Sequence, residues 1–199
     1  MDLVDSSILL EKGSCLYESF CKQFSSKQEV PISDIIEIAP WLLDKNVKFN
    51  SAVISIDRST ERIKWEKGVW LSGSWFDGIW LSGIWMDGRW QHGVWYDGIW
   101  LDGIFEDGDW FSGIWCKGSW VRGIWHDGVW EYGHWHNGNW INGKWVHGIW
   151  SGGQWEDGVW YNGLWNWGVW LGGEWYDGTW LDGNWLCGII CGDVSNNHP

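Results

Sequence analysis

From Trp65 to Trp185 a tryptophan occupies every fifth position, with one replacement, Phe105, and from Gly68 to Gly188 a glycine stands two residues ahead of each ring. The unit is Gly-x-Trp-x-x. A strict short period held over about 125 residues describes a stack of near-identical units in which each unit contacts its neighbours. It does not describe a globular domain built around a pocket.

The period excludes most local conformations. A glycine every five residues costs a helix roughly 1 kcal/mol each relative to alanine, and a five-residue step walks around a helix without making an apolar face. Disordered chains are poor in aromatic residues. Extended segments joined by regular turns remain, and the units carry their marks. Ile79, Val94, Ile99, Val129 and Val159 precede tryptophans, and Asp77-Gly78, Asp87-Gly88, Asn137-Gly138 and Asn162-Gly163 are turn pairs.

Two β architectures fit this pattern. A flat meander of three-residue strands would put every tryptophan on one face and aliphatic or tyrosine side chains on the other, leaving a single sheet with two apolar faces. A solenoid with four pentapeptides per square coil turns the rings inward instead. Residues i and i−2 share a face of an extended segment. Each large ring would therefore sit beside a glycine with no side chain, a complementary filling for a packed interior. The solenoid is the expected fold, with six to seven coils and a length of roughly 30 Å.

The five-residue period, with a large apolar centre and a small residue two places earlier, resembles the pentapeptide-repeat family over Trp65 to about Gly192. That resemblance implies a right-handed quadrilateral parallel β-solenoid with about twenty residues per coil. The family's centre is Leu or Phe and its small residue is Ala, where this chain has Trp and Gly. The string is also similar to Trp-Gly repeats of phage and giant-virus proteins, which implies a viral or phage setting.

Organisation follows composition. Residues 1–64 contain one glycine and a single tryptophan, Trp41, and are expected to form a small α+β capping or docking domain. The pattern predicts an amphipathic helix over Ser6 to Phe24, a short helix from Asp34 to Ile38 and a strand from Ser51 to Ile56. Residues 65–192 are the repeat, and 193–199 a polar tail. Formal charge is −13; the repeat holds fifteen acids against five bases. Such an acidic surface disfavours direct contact with nucleic acid or anionic membranes. Five cysteines in no metal or disulfide spacing suit a reducing compartment. The acidic N-terminus lacks the form of a signal peptide, and no segment is long and apolar enough to span a membrane. The expected location is the cytoplasm, or a virion assembled there.

No spacing of Ser, His, Asp or Cys marks catalysis, and neither a metal site nor a cofactor is expected; the chain reads as a non-enzyme. The histidines fall at variable outward positions. Written in rows of twenty, Leu81, Leu101, Val121, Ile141, Tyr161 and Leu181 align as an apolar edge, a candidate surface for a protein partner or for self-association. Asp77, Asp97, Asp157 and Asp177 align as an acidic edge, broken by Lys117. Trp167, the repeat tryptophan out of step, is expected to face outward. The leading expectation is a structural or protein-binding rod. Two others remain: a duplex-DNA mimic that inhibits a basic protein such as a type II topoisomerase, as the resemblance implies, and a glycan-binding module if the rings are exposed.

Overall fold

The structure, a computed structural model, describes residues 3–5, 29–31, 48–56 and 62–192. Both predicted helices lie outside these residues, and among the described residues there is no helix. Four strands come first: β1 (Leu3–Asp5), β2 (Glu29–Pro31), β3 (Lys48–Ile56) and β4 (Ile63–Ser72). Twenty-four two-residue strands follow, from β5 (Ser74–Trp75) to β28 (Ile189–Ile190), each ending on the inward residue of its unit.

The repeat is a parallel β-solenoid of about 8 turns. Its strands pair with those fifteen residues away: Ile79 with Val94 and Trp80 with Trp95, then Val94 with Asp109 and Trp95 with Trp110. This register overturns the meander. It also corrects the expected coil: each turn holds three pentapeptides, not four, and the cross-section is triangular rather than quadrilateral. At the usual interstrand spacing, 8 turns give a rod about 40 Å long. Three corners must bend the chain more sharply than four. The glycines allow this, because every repeat glycine has a positive φ, between +97° and +149°, a region that residues with a Cβ seldom enter.

Glycine is required for a second reason. A Cβ on Gly128 would sit 2.5 Å from the Gly113 carbonyl oxygen of the preceding coil and 3.2 Å from Trp125 Cζ2. The expectation that glycine balances the bulk of tryptophan therefore needs correcting. It serves the corner's backbone geometry and the close approach of coil to coil. The residue after each tryptophan donates its N–H to a tryptophan carbonyl one coil back, as from Tyr96 to Trp80 at 2.8 Å. The residue before the tryptophan donates to a glycine carbonyl, as from Val94 to Gly78 at 2.8 Å. At Asp-Gly and Asn-Gly corners the glycine's own N–H turns to the preceding side chain: Asp127 Oδ1 accepts from Gly128 N at 2.7 Å, and Asn137 Oδ1 from Gly138 N at 2.8 Å. Asp and Asn are interchangeable here because both present the same acceptor oxygen.

The interior is three columns of stacked rings. Trp110, Trp125 and Trp140 stack at 4.9 and 4.8 Å with planes 6° apart. Successive rings along the chain meet edge to face, as Trp120 and Trp125 do at 6.0 Å and 74°. Offset stacking and edge-to-face contact are the arrangements that ring quadrupoles favour. Each indole meets the next edge to face around the coil, so three rings line every turn. From Trp65 to Trp175 each inward ring, Phe105 included, has no exposed surface. Phe105 stacks 5.6 Å from Trp90 and 4.2 Å from Trp120.

Corner carbonyls receive some of the indole N–H groups. Trp135 donates to the Gly152 oxygen at 3.1 Å and Trp160 to the Asp177 oxygen at 3.0 Å, in both cases seventeen residues on. Trp145 and Trp165 repeat the pattern at 3.1 Å. Most of the other buried indole nitrogens, such as that of Trp125, have no hydrogen-bond partner. Ring stacking and burial outweigh this loss of hydrogen bonding, at about 5 kcal/mol gross for each fully buried indole.

The first coil is covered by the chain itself. Strand β3 pairs antiparallel with β4, with an irregularity between Asn50 and Val53 where Ser51 takes a φ of 51°. Ala52 and Ile54 are buried beneath the rings, and Phe49 meets Trp65 edge-on at 6.1 Å. Strand β1 joins the outer edge of β3 at Val53, and β2 pairs with β1. The predicted strand at Ser51 to Ile56 is thus present and begins earlier, at Lys48. At the other end Ile190 takes a tryptophan's place opposite Trp175, while Leu181, Leu186 and Ile189 are well exposed.

Candidate interaction surfaces

Three sides repeat every fifteen residues, and each pentapeptide presents two outward side chains, one before and one after its tryptophan. Side I carries the rings in register with Trp80 and Trp95, side II those with Trp85 and Trp100, and side III those with Trp75 and Trp90. The residue between each outward pair and the next glycine lies at a corner.

This geometry dissolves the twenty-residue alignments. Leu81 and Ile141 fall on side I, Leu101 and Tyr161 on side II, and Val121 and Leu181 on side III, because twenty residues are one coil plus one side. They form no common edge. The acids separate likewise: Asp97 and Asp157 follow side I, Asp177 follows side II and Asp77 follows side III. Each of the four accepts a hydrogen bond from the next glycine N–H, at 2.7 to 2.8 Å. Rows of fifteen reveal the real neighbours. Lys117 stands over Asp102 at 2.8 Å, Arg122 over Asp107 at 2.9 Å and Asp77 over Arg62 at 3.1 Å. Burial pushes the Asp102 carboxyl up, but the Lys117 ammonium and the Gly103 N–H outweigh it and hold the group below its ordinary value.

The spacing that exposes these ion pairs also exposes a run of aliphatic residues on side II. Ile84, Ile99 and Ile114 stack ahead of the rings, and Met86, Leu101 and Cys116 stack behind them. Reading the repeat in fifteens rather than twenties is the signal that would have found this run. Side I carries a short outer ring stack, Tyr96 on Phe111 at 5.1 Å and Phe111 on His126 at 4.3 Å. Side III is polar and mixed. There His134 Nε2 and Ser151 Oγ share a 2.6 Å hydrogen bond, and the His134 ring faces His136 at 3.8 Å rather than a carboxylate. Trp167 is 57% exposed, as expected, and its ring packs over the corner backbone at Gly152.

Desolvation, and secondarily the neighbouring His136, holds the His134 imidazole below its ordinary pKa. The fold thus favours the neutral ring, and the unfolded chain takes up the proton more readily. Its contribution to stability is complete above the unfolded imidazole's pKa of about 6.5 and is lost as the pH falls from there through the folded value. The urea midpoint is therefore expected to fall between about pH 7 and pH 5, and His134→Gln is expected to shallow that fall. An unchanged slope in the variant would show that other groups carry it.

Burial and the nearby Glu131 push the Cys116 thiol up, which suits packing rather than nucleophilic attack. Among the described residues no group of three or more His, Cys, Asp or Glu side chains is placed to hold a metal ion, and no helix is long and apolar enough to cross a membrane. The chain matches no protein-family model, no curated protein and no solved structure, so the geometry alone carries the functional argument.

Proposed function

We propose that this protein is a non-enzymatic structural or protein-binding rod, which holds a partner through its flat outer sides. The observation that carries the reading is the filled interior. Rings without exposed surface run from Trp65 to Trp175, so recognition falls to the outward ladders, whose side chains are held at one fixed spacing. Rigid ladders present a partner with a surface ordered before binding, which lowers the entropy cost of association.

The same burial removes the support for a polysaccharide-binding ring ladder, since Trp167 stands outside as a single repeat tryptophan. The duplex-DNA mimic is the weaker reading, because the acids are spread over the corners of all three sides. Many of the rod's aspartates are occupied at corners, accepting from glycine N–H groups, and Asp102 and Asp107 are paired with bases. The acidity thus follows from the chemistry of the turns.

The test is affinity capture from native lysate with the full chain and three variants, each placing two outward aspartates on one side: Val94→Asp with Tyr96→Asp, Ile99→Asp with Leu101→Asp, and Ile104→Asp with Val121→Asp. A protein partner retained by the parent and by two variants, and lost from the third, is the expected result. Capture of nothing, or equal capture by all four chains, overturns the reading.

A further inference from the structure

The aliphatic run on side II is confined to the first half of the rod. Ile84, Met86, Ile99, Leu101, Ile114 and Cys116 occupy both outward positions of three consecutive coils, and Val69 with Leu71 extends them by one coil. Met86 is 40% exposed and Ile114 37%. Farther along, Glu131, Lys144 and Glu174 break the pattern. On side III the same coils carry Arg89, Gln91 and Glu106, so the apolarity is not general to the repeat.

We propose that this face pairs with the same face of a second copy of this chain. The inference deepens the reading of the protein as a binding rod and rests on it. Three observations favour a second copy as the occupant. The side is flat, and its side chains repeat at the interstrand distance of about 4.8 Å, so the facing surface that interleaves with it row by row is another β-stack of the same rise. An identical face meets that condition, and a two-fold axis satisfies both partners at once.

Charge also points this way. The chain carries a formal −13, yet no acid or base stands among these outward positions from Val69 to Cys116. Two copies can therefore approach along these positions without bringing like charges face to face, since the nearest charges, Asp87, Asp102 and Lys117, stand at the adjoining corner and two of them are paired. Area is the third observation. Eight partly exposed aliphatic or thiol side chains present on the order of 400 Å². Two such faces bury about 800 Å², the size of a weak, transient contact. A reversible dimer with a dissociation constant of about 100 µM fits that size.

Sedimentation equilibrium of the purified 199-residue chain, from about 1 to 200 µM, spans the range where an interface of this size is half-formed. The parent chain is expected to pass from monomer to dimer. Ile99→Asp with Leu101→Asp is expected to weaken association at least tenfold, and Ser119→Asp on side III to leave it unchanged. Met86→Lys, at a more exposed position, reports on the same face if the double variant misfolds, and near-UV circular dichroism of the ring stack shows which variants are folded. A parent chain that stays monomeric to 200 µM overturns the proposal; the face is then left to another occupant, such as a segment of residues 6–28 or a different protein. Equal association of side II and side III variants overturns it too. Captured partners in the lysate experiment do not depend on this outcome, so failure of self-pairing and failure of the rod reading are separable.

Discussion

Gly128→Ala is expected to unfold at least the coils around it, at a cost of about 4 kcal/mol or more, although it adds one methyl group. Two penalties coincide. The φ of +127° lies where a residue with a Cβ is strained by about 1–3 kcal/mol, and the new carbon would meet the Gly113 carbonyl oxygen at 2.5 Å. That oxygen belongs to the coil-to-coil ladder, accepting from Val129 N at 2.9 Å, so it cannot yield without breaking a hydrogen bond. Gly152→Ala is the matched control. Its backbone is outside the positive-φ region, and the nearest atom to an added Cβ is Trp167 Cε3 at 3.5 Å. The control is expected to change stability by less than about 0.5 kcal/mol. Urea denaturation of both variants decides the matter. Similar midpoints would mean that the corners relax and that glycine is not the element fixing the triangle.

Trp125→Ala is the second large effect, with an expected loss of about 3–5 kcal/mol. The variant removes stacking on Trp110 and Trp140 and edge contacts with Trp120 and Trp130, all within a fully buried column. Neighbouring coils are fixed by their own ladders, so the cavity cannot collapse. In a linear stack of this kind the damage is also expected to separate the rod into halves that unfold in two steps. Trp125→Phe is expected to cost less, because Phe105 already occupies an equivalent place between Trp90 and Trp120. Trp167→Ala is expected to leave the urea midpoint unchanged within about 0.5 kcal/mol and to lower the fraction of emission quenched by iodide. A mild loss at Trp125, matching that at Trp167, would contradict the filled interior.

Much of the fold was legible in the order of residues. The five-residue period places Trp100 and Phe105 on the same inward track, and both are fully buried. Trp167, two places off that track, lies outside. Asp-Gly and Asn-Gly pairs mark corners, and at nearly all of them, such as Asp87-Gly88 and Asn162-Gly163, the side-chain oxygen holds the glycine N–H. At the start of the repeat, strand β3 and Phe49 lie against the first coil.

The candidate surfaces were not legible in the same way. Leu81 and Leu101 look like neighbours when the chain is written in twenties, yet they stand on different sides. Ile84 and Ile99, which do touch across the sheet, look unrelated until it is written in fifteens. A local repeat of five residues specifies what each unit does, an extended pair and a corner, and is silent on how many units close a turn. The amino-acid order thus settled which side chains go in, which go out and where the chain bends. Tertiary structure alone settled that three units make a coil. Closure depends on the summed bend of successive corners and on how many indoles line a cross-section, and both are properties of residues meeting across the interior rather than along the chain.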